Sequence, residues 1–178
     1  PDYVISVGGD GTFLKAVHEY IEEVDNILFV GINEGSLGFY SDYVIDELDQ
    51  LLEDLSNDEV DIKTHSLLVT NIGEKKLYAV NEIRVNAPLR SLNLDIFIDD
   101  ELLENFVGSG LSVSSTLGST GINRSLGGSV IVSDDDLLSL VPIAPIYSRV
   151  YHSITTPVIF SKEHKITLQG DLNGVYIG

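Results

Sequence analysis

The sequence contains no cysteine, no methionine and no tryptophan. Without thiols it can form neither a disulfide framework nor a thiolate metal site. No apolar run is long enough to span a bilayer as a helix. Pro1-Asp2-Tyr3-Val4 lacks the basic stretch that opens a signal peptide. Cations are scarce: ten Lys and Arg stand against 28 Asp and Glu, for a net charge of −18. Sequence-independent nucleic-acid binding needs clustered cations to displace counterions from phosphates. Lys75-Lys76 is the one adjacent pair, so no nucleic-acid partner is expected. A membrane-surface role is disfavoured on the same ground. The histidines His18, His65, His152 and His164 are not spaced as metal ligands and read as surface or partly buried residues. A metal site built from the chain's own side chains is therefore not expected, and no local signature points to a Ser-His-Asp triad.

What remains is a chain of 178 residues, 43% hydrophobic, able to bury a core as one large domain or two small ones. Its character changes near residue 60. Tyr3–Val7 and Ile27–Ile32 are apolar and β-branched, as strands of a parallel sheet are. Between them Phe13-Leu14, Ala16-Val17 and Tyr20-Ile21 recur at helical spacing, and Val44, Leu48, Leu51, Leu52 and Leu55 mark a second helix. That βαβα rhythm belongs to an open parallel sheet. Beyond Val60 strand follows strand: Ser66–Ile72, Lys76–Val85, Leu92–Ile98, Glu101–Val107 and Leu111–Ser115. Pro142–Ile146, Val158–Phe160, Lys165–Leu168 and Gly174–Ile177 come later. Asp99-Asp100 reads as a two-residue hairpin turn. One short helix, about Ser119 to Leu126, is expected to end at the natural C-cap Gly127-Gly128. The Asp134-Asp135-Asp136 run reads as a solvated loop or helix start. The expected fold is α/β: residues 1–59 form an N-terminal α/β lobe with a parallel sheet, and residues 60–178 a β-rich lobe, with ligand bound between them.

The strongest chemical signal is Gly8-Gly9-Asp10-Gly11-Thr12, set between a buried strand and a helix. Glycines let the backbone turn sharply and approach a ligand closely, and the helix start offers free N–H groups to an anion. Asp10 then stands at the carboxyl end of a strand, where open α/β sheets place their ligands. The bland alternative is a tight turn in which Asp10 caps the helix. Neither the P-loop nor the Rossmann fingerprint is present.

This turn resembles that of the NAD kinases and of the wider superfamily with phosphofructokinases and diacylglycerol or sphingosine kinases. Three further motifs select the NAD kinases. Asn33-Glu34-Gly35-Ser36-Leu37-Gly38-Phe39-Tyr40 resembles the family's Gly-x-Leu-Gly-Phe loop, and Asn81-Glu82 its Asn-Glu pair after a strand. Ser115-Thr116-Leu117-Gly118-Ser119-Thr120-Gly121-Ile122 resembles its Thr-Pro-x-Gly-Ser-Thr-Ala-Tyr motif, and Ser125-Leu126-Gly127-Gly128 continues the match. Arg149-Val150-Tyr151 and Pro157-Val158-Ile159-Phe160 look like the Gram-positive branch.

The resemblance implies phosphorylation of the adenosine ribose 2′-hydroxyl of NAD, giving NADP. ATP or polyphosphate would be the donor, with Mg²⁺ or another divalent cation to neutralise phosphate charge. Asp10 would take the proton from the hydroxyl. Gly8, Gly9, Gly11 and Thr12 would lie by the donor phosphates. Asn81, Glu82, Ser109, Thr120 and Ser125 would contact NAD. Ala144 would pack beside the nicotinamide, and Phe39 and Tyr40 would line the site. Without the family, Asn81-Glu82 reads as a strand-end turn, Thr120 and Ser125 as helix caps, Ala144 as ordinary core and Phe39 as packing. The resemblance further implies a cytoplasmic homodimer or homotetramer assembled through the β-rich lobe.

The chain departs from the family at several points. Gly108-Ser109-Gly110 stands where the family has Gly-Asp-Gly. Thr116 or a neighbour replaces the motif's Pro, Gly121-Ile122 replaces Ala-Tyr, and Val107 stands where Gram-positive relatives often carry Arg. Family members usually have a strand and helix before Pro1 and more sheet after Gly178, so part of a longer protein is expected. Two other readings stay open: an inactive or weak nucleotide-binding relative, and a kinase of the same superfamily acting on a lipid or small hydroxyl compound.

Overall fold

The computed structural model describes residues 2–35, 38–57 and 59–178. The chain falls into two compact units, 1–64 and 65–178, joined through residues 59–67, which carry no secondary structure.

In the first unit, β1 (Tyr3–Val7), β2 (Leu28–Asn33) and the short β3 (Tyr43–Val44) form a parallel sheet in the order β1-β2-β3. Helix α1 (Asp10–Glu19) crosses from β1 towards β2. It packs through Phe13, which meets Phe29 edge-on and stacks on Tyr40 with ring centroids 5.3 Å apart. A 3₁₀ turn at Ile45–Glu47 leads into α2 (Leu48–Asn57), whose Leu51 is fully buried. Gly31 lets Tyr40 approach β2: a Cβ at Gly31 would overlap the Tyr40 carbonyl.

The second unit is a β-sandwich of two antiparallel sheets. Its strands are β4 (Leu68–Ile72), β5 (Lys75–Ala79), β6 (Glu82–Asn86), β7 (Leu92–Ile98), β8 (Glu101–Gly108), β9 (Gly110–Ser114), β10 (Leu137–Ile143), β11 (Val158–Ser161), β12 (Ile166–Gly170) and β13 (Tyr176–Ile177). One sheet runs β11-β10-β9-β6-β13 and the other β12-β7-β8, while β4 and β5 form a separate hairpin. Strand β7 alternates as a half-buried strand should: Leu92, Leu94 and Ile96 are buried and Asn93 exposed. They meet Phe106 of β8 and, from the facing sheet, Val85, Leu111 and Leu140. Asp99 and Asp100 have φ of 50° and 68°, the geometry of a type I′ hairpin turn.

Several sequence expectations need correction. The strand expected over Lys76–Val85 is broken at Val80-Asn81, where the chain bends to start β6. The strand expected at Pro142–Ile146 lies earlier, at Leu137–Ile143, because Ala144 takes a left-handed φ of 44° and Pro145 offers no N–H to a ladder. The expected helix over 119–126 is a 3₁₀ turn, Leu117–Thr120, followed by one turn of α3, Ile122–Ser125. The expected cap is present: Gly127 has φ 86°, its N–H donates to the Arg124 carbonyl, and Gly128 N–H donates to the Asn123 carbonyl. This is a Schellman motif.

The acidic run is not simply solvated. Asp134 and Asp135 are exposed, but Asp136 accepts hydrogen bonds from the Ser66 N–H (3.0 Å) and Lys162 Nζ (3.4 Å). Burial pushes its carboxyl up, yet the bonds from Ser66 and the Lys162 ammonium outweigh this and hold it below the ordinary carboxylate range.

Candidate functional site

The glycine turn is built as its composition dictates. Gly8 has φ 143°, and a Cβ there would stand 2.6 Å from Thr12 Oγ1. Its N–H donates to the Ile32 carbonyl, tying the turn to the end of β2. Gly9 is the N-cap of α1, with the Thr12 N–H on its carbonyl at 2.8 Å. Gly9 and Gly11 border open space, where a Cβ would meet nothing within 4 Å.

Asp10 is therefore not the helix cap. Its carboxylate points to the loop after β2, where Oδ2 accepts the Phe39 N–H and Oδ1 the Tyr40 N–H, both at 3.2 Å. Gly38 makes this approach possible, since a Cβ on it would overlap Asp10 Oδ1. Phe39 is 71% exposed, so its ring is not the packing residue that an aromatic after glycines suggests. Tyr40, stacked on Phe13, is. Asn33 anchors the start of this loop through Ser41 Oγ (3.2 Å) and the Gly35 N–H (2.8 Å). Ser36 and Leu37, in the middle of the sequence motif, lie outside the described residues.

In the second unit the bend between β5 and β6 meets the segment after β9. The Ser115 N–H donates to the Asn81 carbonyl at 2.8 Å, and Gly118 sits so close that a Cβ would overlap the same carbonyl. Ser115 Oγ donates to the Val80 carbonyl and accepts the Gly118 N–H. Glu82 faces Gly121: a Cβ there would stand 3.9 Å from Glu82 Oε2. Burial pushes the Glu82 carboxyl above its ordinary range, and Arg84 Nε, 3.7 Å away, offsets this only in part. Thr120 does not cap α3; its hydroxyl donates to the Leu117 carbonyl. Ser125 is the exposed last residue of α3 and caps no helix start.

Ser109 and Ala144 lie elsewhere. Ser109 follows β8, its N–H on the Ile143 carbonyl and its carbonyl taking the Ala87 N–H, both at 2.9 Å. Ala144 is exposed rather than core, and its carbonyl stands 3.0 Å from where a Cβ on Gly108 would be. The β6–β9 register pairs Glu82 with Ser114 and Asn86 with Gly110. Ser109 thus sits at the opposite end of these strands from Glu82, about 17 Å away at the usual rise per residue. The described residues hold no group of three His, Cys, Asp or Glu able to grip a metal ion.

The sequence is matched in known proteins. The family described as the ATP-NAD kinase N-terminal domain matches residues 1–60. The NAD kinase of Lactobacillus acidophilus is 42% identical over 173 residues, 94% of this chain and 65% of that protein. The NAD kinase of Lactobacillus gasseri is 36% identical over 182 residues, 99% of this chain and 68% of that protein. The chain belongs to the NAD kinase family. Among solved structures, yeast NADH kinase complexed with NADH superposes with a TM-score of 0.82 at 23% identity, covering all of this chain and 53% of that one. That likeness bears on the fold alone. The chain spans slightly less than two thirds of the first of these relatives.

In this chain, sequence reasoning missed the hydrogen bonds that fix Asp10, because backbone donors leave no mark on residue type. It also missed what Thr116 does. Its Oγ1 accepts the Leu137 N–H at 2.7 Å, tying the loop after β9 to the start of β10.

Proposed function

We propose that the protein is an NAD kinase, transferring a phosphoryl group from ATP or a related donor to the adenosine ribose 2′-hydroxyl of NAD. The observation that carries this reading is the Asp10 carboxylate, held at the tip of β1 by two loop N–H groups beside an open glycine turn. Each carboxylate oxygen accepts one N–H and retains a second lone pair, so the group is oriented but still able to receive a hydroxyl proton. In the reaction, the nucleophilic hydroxyl would lose its proton to Asp10 as its oxygen bonds to the γ-phosphorus and the donor's bridging oxygen departs with ADP.

Gly9, Gly11 and Thr12 suit the donor phosphates. The backbone there is unobstructed, and the first turn of a ten-residue helix presents N–H groups and the positive end of its dipole. A divalent cation would supply charge neutralisation on the phosphates. Glu82, partly desolvated and facing Gly121, would be an acceptor for NAD hydroxyl or amino groups, with its neighbour Asn81, and with Thr120 and Ser125 on the segment that carries Gly121, as further contacts. Ser109 and Ala144 would meet the far end of a dinucleotide. The relatives support the same substrate pair: those from Lactobacillus acidophilus and Lactobacillus gasseri are NAD kinases, and an Archaeoglobus fulgidus NAD kinase was solved in complex with ATP. We further read the protein as a cytoplasmic homodimer or homotetramer; among the described residues no helix is long and apolar enough to cross a membrane.

A coupled assay for NADP formation, with calorimetry for NAD and ATP separately, tests the reading. Turnover with binding of both ligands supports it. NAD binding without turnover makes the chain an inactive relative, and ATP binding alone points to a different acceptor.

A further inference from the structure

Residues 117–131 carry Thr120, Gly121 and Ser125, yet the segment has little secondary structure of its own. Helix α3 is a single turn, far too short to be stable by itself. What holds it is Asn123, which is fully buried. Its Nδ2 donates to the Ser119 carbonyl at 3.0 Å and to the Ser129 carbonyl at 2.9 Å, bridging the turn before α3 to the chain after it. Its own carbonyl takes the Gly128 N–H at 2.8 Å. Gly128 lies so close that a Cβ would overlap the Asn123 amide. Beside it, the buried Ser119 hydroxyl accepts the Ile131 N–H at 3.0 Å.

The remaining atom of the amide, Oδ1, is buried with no partner among the described residues. A space-filling side chain would not incur that desolvation cost. The two donors are what the position uses. Asp lacks them, and an aliphatic residue would leave both carbonyls unpaired.

We infer that Asn123 is a positioning residue for NAD: it touches no ligand, and it acts by fixing the segment that carries Thr120, Gly121 and Ser125, whose Gly121 faces Glu82. The inference rests on the function proposed above. Its consequence is selective. The glycine turn and Asp10 belong to the other unit of the chain, so loss of the Asn123 bridge should weaken NAD recognition while sparing the donor site.

The test is steady-state kinetics of NADP formation by the full chain, varying NAD and ATP in turn, with thermal melts as a check on folding. Asn123→Ala should raise KM for NAD about tenfold, with kcat and KM for ATP within about threefold. Asn123→Asp should resemble it at neutral pH and recover as pH falls, because a protonated carboxyl regains one donor; Asn123→Ala should show no such recovery. Should neither variant fold, Ser119→Ala, which removes only the tie to Ile131, should show the same selective rise in smaller measure. An unchanged KM for NAD in a folded variant, or equal losses for both substrates, overturns the inference. A wild-type chain that neither binds NAD nor makes NADP overturns the proposed function and this inference with it.

Discussion

Replacing Gly38 by Ala tests the site at its tightest contact. The backbone of Gly38 lies against the Asp10 carboxylate, and an added methyl would overlap Oδ1. Ordinary van der Waals separation requires the carboxylate to retreat by about 1 Å. That movement breaks or lengthens the bonds from the Phe39 and Tyr40 N–H groups, already at 3.2 Å. A displacement of this size at a reacting group costs on the order of 100-fold in rate. The stability cost should stay near 1 kcal/mol, because Asp10 is only half-buried and its bonds exchange with water. Gly38→Ala should therefore lower kcat about 100-fold while shifting the melting temperature by only a few degrees. The assay is initial-rate NADP formation at saturating NAD and ATP, alongside a thermal melt. A kcat within twofold of wild type would refute the reasoning, since it would mean that the geometry around Asp10 does not govern the chemistry.

Two further substitutions probe the second unit. Glu82→Gln should raise stability at neutral pH, because burial holds the Glu82 carboxyl above its ordinary pKa and its ionised form is penalised in the fold. The gain should fade as pH falls into the ordinary carboxylate range, where wild-type Glu82 is itself protonated, and NAD should bind about tenfold more weakly; melts against pH and calorimetry check both. Asp136→Asn should cost up to about 1 kcal/mol at neutral pH, because it removes the ion pair to Lys162, whose half-exposed ammonium regains water. The Asp136 pKa is depressed, so its stabilisation is full above the ordinary carboxylate range and is lost as pH falls through the lower folded value. Denaturant titrations of the two proteins should converge in strong acid.

Strands β1 and β7 were legible as strands because apolar and β-branched residues run or alternate through them, although Tyr3, Ile5 and Val7 of β1, expected to be buried, are exposed; Asp99-Asp100 was legible because few residue pairs tolerate two positive φ angles. Strand β10 was placed too late because no local pattern shows that Ala144 takes a left-handed φ and ends the strand at Ile143. The two-residue β3 exists only through its pairing with Ile32 and Asn33, a contact no local pattern announces. Asp136 read as a solvated charge because its partners, Ser66 and Lys162, lie 70 and 26 residues away. The site shows the same division. Asp10 and its glycines stand out in the sequence, while the Phe39 and Tyr40 N–H groups that hold the carboxylate could have been placed only by knowing that the β2 loop folds back over β1.

The central claim is that the Asp10 carboxylate accepts the proton of the ribose hydroxyl. Rates of NADP formation by wild type and Asp10→Asn, with NAD affinity measured on the same preparations, address it directly. The predicted result is a fall in turnover of at least about 100-fold with NAD affinity within about threefold. Turnover in Asp10→Asn close to that of wild type would contradict the account.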